Sequence, residues 1–333
     1  MRVAVVGAGV AGLSCASRFA SLAAAVSVFD KGRGPAGRMA SRRLPTPLGE
    51  ADFDMGAPAF SVRDPRFAAE AARWRALGLA APWPEAGPDA WVGVPRMSAP
   101  LTALAAGLDV RWNAFVGGVS RTPEGWRLHL RDEEVGPFEA VAIALPAEQA
   151  APLLALNAPS FGARVLTAVS RPCWTGLFAF DRPLSDDAVL LRDQGILDLA
   201  VRNSVKPGRS GPEAWVVHAR ADWSAAHLEE DAACVADALR LALAKATGSQ
   251  ALRPVAGQAH RWRVARPAGL GSGFLWDAAV GLGACGDWLA APTVEGAWLS
   301  GLDLAEQIAL NPRTGPSRGR AAKRLMARHG AMT

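Results

Sequence analysis

Val3-Ala4-Val5-Val6-Gly7-Ala8-Gly9-Val10-Ala11-Gly12 reads as an apolar strand running into a glycine-rich turn and then a helix. The spacing is G-x-G-x-x-G, and geometry gives each glycine a task. Gly7 permits the tight turn, and Gly9 lets backbone approach a pyrophosphate with no Cβ in the way. Gly12 lets the helix that starts at Val10 and Ala11 pack closely on its strand, with phosphates lying on the free N–H groups of its first turn. A second apolar run, Ala25-Val26-Ser27-Val28-Phe29, ends at Asp30, eighteen residues beyond Gly12. A carboxylate at that distance is placed to accept from the hydroxyls of an adenosine ribose. Strand, glycines, helix and acid together predict a bound dinucleotide.

The residues after Asp30 narrow the choice of dinucleotide. Lys31-Gly32-Arg33-Gly34-Pro35-Ala36-Gly37-Arg38-Met39 continues directly from that acid. Proteins that bind NAD usually pass from that strand into ordinary βα units. A second Gly/Arg-rich loop instead suits FAD, since its glycines allow a compact turn over the pyrophosphate and ribityl chain while an arginine neutralises phosphate charge. Far downstream, Val280-Gly281-Leu282-Gly283-Ala284-Cys285-Gly286-Asp287-Trp288 is an apolar strand ending in Gly-Asp. A small-residue helix then starts at Val294-Glu295-Gly296-Ala297. Asp287 is placed to accept from a ribityl hydroxyl. The helix start at 294–297 points at the flavin edge where negative charge gathers on reduction. Met55-Gly56-Ala57 is a further small-residue turn suited to close approach to the isoalloxazine.

These groups, with Trp91-Val92-Gly93, Lys206-Pro207-Gly208-Arg209, Trp215-Val216 with His218, and His260-Arg261-Trp262, make the chain resemble the renalase-like FAD-dependent oxidoreductases, especially the bacterial members, across about residues 1–310. The resemblance implies an α/β fold in which an FAD-binding Rossmann-like domain (glutathione-reductase-like, p-hydroxybenzoate hydroxylase-like) carries an inserted α+β substrate domain. It implies noncovalent FAD, and places Val116 where a hydrophobic residue gives backbone contacts to the adenine, with Lys31 on the adenosine side. It further implies oxidation of misreduced isomers of NAD(P)H, those with the extra hydride away from C4. Hydride would pass to flavin N5, and dioxygen would leave as hydrogen peroxide. Such chemistry asks little of acid–base residues, because aromatisation drives it; the protein must chiefly place a ring against the flavin.

The substrate side is less constrained. Arg202, Lys206 and Arg209 are candidates to meet a nucleotide phosphate, and Asn203 to bond a carboxamide. The Lys206–Arg209 tetrapeptide reads equally as a turn with solvated charges. His218 lies in a strand-like run, which favours a satisfied structural histidine over a catalytic one. His260 is a candidate to line the active site. Trp288, next to Asp287, falls near the flavin for packing or stacking. The rival enzymatic reading is an ordinary amine oxidase. A pair of tyrosines before the flavin is excluded because the chain has no tyrosine, and of its four lysines (Lys31, Lys206, Lys245, Lys323) only Lys206 is a candidate to sit near N5. A non-catalytic FAD-binding sensor or scaffold is the second alternative, and a desaturase or mutase a third.

The same motifs set the expected domain ranges: 1–62, 96–150 and 268–312 for FAD, 63–95 and 151–267 for substrate, and 313–333 as a basic tail, flexible by composition. The net charge of +5 resides in that tail, which carries six basic residues and no acid; the remainder stands near −1. The basic balance therefore supplies no reason for a nucleic-acid groove. Four cysteines without metal or redox spacing fit reduced thiols, and no metal site is expected. No apolar stretch reaches membrane-spanning length, and cleavage of the apolar N-terminus as a secretory signal would destroy the dinucleotide site, so a cytoplasmic protein without a membrane partner is expected.

Overall fold

A computed structural model of the chain describes residues 1–35, 37–184, 188–249 and 253–311; the basic tail at 313–333 lies outside the described residues. Its first layer is a six-stranded sheet. In spatial order it runs Asp109–Arg111, Ala25–Phe29, Arg2–Val6, Ala140–Ile143 and Leu282–Cys285, all parallel, closed by Phe274–Asp277, which is antiparallel. Val3 to Val6 are buried without interruption because both faces of a parallel sheet are covered. Val3 and Val5 face the helices Val10–Ser21 and Val294–Leu310. Ala4 and Val6 face the antiparallel meander Gly118–Thr122, Gly125–His129 and Glu134–Phe138. Chain order reverses beside Arg2–Val6, and a crevice opens there, beyond the carboxyl ends of the strands, as open α/β sheets require.

Two glycines let the helical layer close on this sheet. A Cβ on Gly12 would lie 1.8 Å from the Gly7 carbonyl oxygen, and one on Gly301 would lie 2.0 Å from that of Ala11, so Val10–Ser21 and Val294–Leu310 cross nearly backbone to backbone. Ser14 fastens the crossing by donating to the Trp298 carbonyl at 2.8 Å. Outside it, the helix Pro65–Ala76 begins at Asp64, which accepts from Arg66 N. It buries Phe67 and Trp74 edge-on against Phe60, with Trp74 also edge-on to Trp298, pairs worth about 0.5–1.5 kcal/mol each beyond their burial.

The second large sheet is antiparallel, in the order Leu190–Gln194, Leu197–Arg202, Glu213–Ala219, Ser170–Phe180 and Ala256–Pro267. Period-two alternation gives it two faces. Trp174, Phe178, Trp215 and Val217 pack under Val235, Leu239 and Leu243 of the helix Ala232–Ala246, which Asp231 caps. Leu177, Ala179, Ala214 and Val216 pack on Ala51, Phe53 and Met55, in and just after the strand Gly49–Asp54. Residues 151–168 pack on the parallel sheet. The helices Ala147–Ala155 and Pro159–Val165 bury Leu153, Leu154 and Val165 in one cluster with Ala4 and Val6 of the parallel sheet. Residues 63–95 bury Phe67, Trp74 and Trp83 in a cluster that holds both Val3 and Val5 of the parallel sheet and Leu199 and Val201 of the antiparallel one.

Candidate active site

A cavity of about 980 Å³ runs along the crevice and ends beneath the antiparallel sheet. At one end lie Asp30, Lys31, Val116 and Phe115, the last 59 % exposed at the rim. The middle is lined by Gly7, Gly9, Val10, Ala11, Gly37, Arg38, Gly286 and Asp287. The far end is lined by Met39, Gly56, Ala57, Val294 and Ala297, with Thr175, Leu199, His218 and Trp262 from the second sheet.

The middle section is built for an anion. The helix at Val10 is capped by Gly9 without a side-chain bond, so its first-turn N–H groups stay free for a ligand. A Cβ on Gly9 would meet no protein atom within 4 Å, whereas one on Gly12 strikes backbone; Gly12 serves packing, and the space at Gly9 belongs to the cavity. Arg38 donates to Asp287 Oδ1 at 2.7 Å and to the Ala265 carbonyl at 3.1 Å, tying the second glycine-rich loop to the Gly-Asp segment. Asp30 accepts from Ala8 N and Gly32 N, both at 2.6 Å, and each of its oxygens keeps a lone pair for a further donor.

Residues 83–309, more than half of the chain, match the family described as flavin containing amine oxidoreductase, and residues 5–72 match the NAD(P)-binding Rossmann-like domain. The chain belongs to the flavin-containing amine oxidoreductase family. This flavoprotein is similar in fold to a candidate protoporphyrinogen oxidase from Exiguobacterium sp. 255-15 (12% identity, 93% of this chain and 98% of that chain, TM-score 0.73). It is similar also to cyclohexylamine oxidase from Brevibacterium oxydans IH-35A (13% identity, 92% and 98%, TM-score 0.69). An oxidoreductase from Methanosarcina mazei matches at 15% identity, 92% and 100%, with a TM-score of 0.59. FAD is the cofactor, and the residues present fit it: the gap at Gly9, two helix starts that line one cavity, and the Asp30 and Asp287 carboxylates along it. No helix among the described residues is long and apolar enough to cross a membrane.

Several residues singled out from sequence stand apart from the flavoprotein's cavity. Met55 and Gly296 are buried behind the lining. The Met55 carbonyl accepts from Trp262 Nε1 at 3.2 Å, and Gly296 N donates to Thr293, the helix cap. Glu295 turns away and accepts from Arg63 N and Asp64 N at 2.7 and 2.8 Å, joining two helix starts. Trp288 is fully buried beneath Gly286, its indole N–H bonded to the Leu145 carbonyl at 3.0 Å, and it reaches no ligand space. His260 lies outside the lining, edge-on to Trp262 with centroids 4.6 Å apart; burial and the nearby Arg42 lower its pKa.

The largest correction concerns the charged tetrapeptide and its neighbours. Lys206 is 2 % exposed and donates to Asp54 Oδ2 at 3.0 Å, and Arg209 donates to the same oxygen. Asp54 Oδ1 accepts from Met97 N and Ser41 Oγ, while Asn203 bridges Asp54 N and the Asp52 carbonyl. Arg202 pairs with Glu213 at 2.9 Å. Burial pushes the Asp54 carboxyl up, but the charges of Lys206 and Arg209 and the bonds it accepts outweigh this and hold it at about 2. Arg202, Asn203 and Lys206 thus bind the chain to itself, and none lines the cavity.

His218 shows the opposite mismatch. It lines the cavity at 8 % exposure, and its Nε2 has no hydrogen-bond partner among the described residues. Burial, with the charges of Arg266 and Lys206, pushes its pKa down to about 4, so the imidazole is neutral at pH 7. Thr175 stands directly opposite on the neighbouring strand, fully buried, and among the described residues its hydroxyl has no partner apart from the weak thiol of Cys173 beside it. Sequence reading missed Thr175, Leu199 and Cys173. Alternation along Ser170–Phe180 carried the signal, since Trp174 and Phe178 mark one face and Cys173 and Thr175 the other, but naming the cavity face required knowing which sheet lay opposite.

Proposed function

We propose that this flavoprotein is a renalase-like oxidase that takes hydride from misreduced isomers of NAD(P)H, returning NAD(P)+. The observation that carries this reading is the neutral, unpartnered His218 beside Thr175 at the cavity end that the glycine-rich segments leave for the isoalloxazine. Hydride loss from a dihydropyridine releases no substrate proton, so the site needs donors and acceptors that orient a flat ring, not a charged base. His218 and Thr175 supply two such groups, fitted to a carboxamide, and Leu199 and Trp262 supply apolar walls that exclude water. The chain has no tyrosine, and Lys206 is committed to Asp54; both facts weigh against an amine-oxidase arrangement.

In this reading Asp30, Lys31 and Val116 hold the adenosine. Gly7, Gly9, Val10, Ala11, Gly37 and Arg38 hold the pyrophosphate, Asp287 the ribityl chain, and Met39, Gly56, Ala57, Val294 and Ala297 the ring. The chemistry that bound FAD supplies is acceptance of two electrons as hydride and their transfer to dioxygen as hydrogen peroxide. The helix start at Val294 lies where it offsets negative charge gained on reduction.

Anaerobic mixing with borohydride-reduced NAD+ tests the reading, with 4-dihydro-NADH and an aryl-ethylamine run beside it. The expected result is rapid loss of oxidised-flavin absorbance with the isomer mixture alone, and return of colour in air. Bleaching by the amine would move the assignment to amine oxidation, and bleaching by none would remove the substrate claim.

A further inference from the structure

A second pocket, of about 260 Å³, opens beside the flavin end of the main cavity and shares Leu199 and residues 58–61 with it. Its polar inventory is lopsided. Arg63 and Asp89 pair with one another and cancel. Among the described residues Arg192 has no side-chain hydrogen bond or ion pair, and no other acid lines the pocket. Trp83 is 1 % exposed, and its indole N–H has no partner among the described residues. A pocket whose lining residues hold one net positive charge and one unpartnered buried donor suits an anionic oxygen group.

The sheet connects this pocket to the ring end. Arg192 pairs with Leu199, Leu199 with His218, and His218 with Thr175, so the four residues form one cross-strand row on one face. Adjacent strands stand about 4.8 Å apart, which puts the Arg192 backbone roughly 10 Å from that of His218. That gap suits a ribose followed by a phosphate within reach of an arginine side chain. Along the row the groups run from neutral polar through apolar to cationic, and a nicotinamide nucleotide runs from carboxamide through sugar to phosphate.

We propose that Arg192 and Trp83 form the anion subsite of the substrate cavity, reading the phosphate attached to the ribose of the dihydropyridine. This rests on the assignment of a dihydronicotinamide substrate. A phosphate here would be held as a bidentate guanidinium contact with one indole N–H bond, and the site would prefer nucleotides to uncharged dihydropyridines of equal reactivity.

The test uses the holoprotein and three borohydride-reduced probes: N-benzylnicotinamide, nicotinamide mononucleotide and NAD+. Anaerobic flavin reduction is followed at several probe concentrations. Arg192→Gln is expected to weaken apparent binding of both phosphate-bearing probes about tenfold, leaving the benzyl probe and the limiting reduction rates unchanged. Trp83→Phe is expected to act in the same direction about threefold, with a melting temperature close to that of the unaltered protein. Equal effects on all three probes, or none on the phosphate-bearing pair, would overturn the subsite while leaving the ring reading intact. Failure of the unaltered protein to be reduced by any probe would overturn the ring reading, and the subsite with it.

Discussion

Two buried polar groups of this molecule have opposite states of satisfaction. On one side Asp54, Lys206, Arg209 and Asn203 answer one another. On the other, His218 and Thr175 face a cavity with hydrogen-bonding capacity left over. A saturated network is what a fold uses to join distant segments; capacity left over is what it keeps for a ligand. Charge is therefore a poor guide to function in this molecule: the charged cluster is structural, and the neutral pair faces the site.

Opening the charged cluster costs the fold most. Asp54→Asn leaves Lys206 and Arg209 buried without a counter-charge, and a loss of about 3–5 kcal/mol is expected. Urea unfolding of the holoprotein checks this. Adding Lys206→Met to Asp54→Asn should recover part of the loss, because it removes one of the stranded cations. A loss below about 1 kcal/mol for Asp54→Asn would mean the cluster does not join the strand Gly49–Asp54 to residues 203–209.

Acid weakens the fold through both regions, but in different pH windows. The His218 pKa falls from 6.5 to about 4 on folding, so the unfolded chain holds more protons between those values. Stability is free of this proton-linked cost above about pH 6.5 and falls as pH drops toward 4, by on the order of 3 kcal/mol in all. Asp54, held at about 2 against 3.8, keeps its contribution throughout that window and loses it only below. Unfolding curves from pH 7.5 to 4.5 should therefore be steeper for the unaltered protein than for His218→Gln. Identical slopes would show that His218 is not buried in its neutral form.

The dinucleotide crevice was legible in the sequence because glycine demands are local. Gly7 at a positive φ of 110° and Gly12 against the Gly7 carbonyl are both fixed within one turn of chain. The charged cluster was not legible, because the partner of Lys206 lies 152 residues away and nothing near the tetrapeptide announces it. Trp288 misled for the reverse reason. Adjacency to Asp287 in sequence suggested adjacency to the flavin, but successive residues leave the backbone on different sides, and its indole is bonded to the Leu145 carbonyl behind the lining. His218 lay in a readable strand. Its role depends on the pairing of that strand with Ser170–Phe180 and Leu197–Arg202, which only the register supplies.

The most direct test compares His218→Leu and Lys206→Met in parallel, each measured as anaerobic flavin reduction by borohydride-reduced NAD+ per bound flavin. His218→Leu should lower the second-order rate constant about tenfold, the value of roughly one hydrogen bond to the substrate, with little change in melting temperature. Lys206→Met should melt markedly earlier yet stay within about twofold of the unaltered rate once flavin is bound. Near-normal reduction in His218→Leu, with reduction abolished in Lys206→Met, would contradict the account and return the lysine to the flavin.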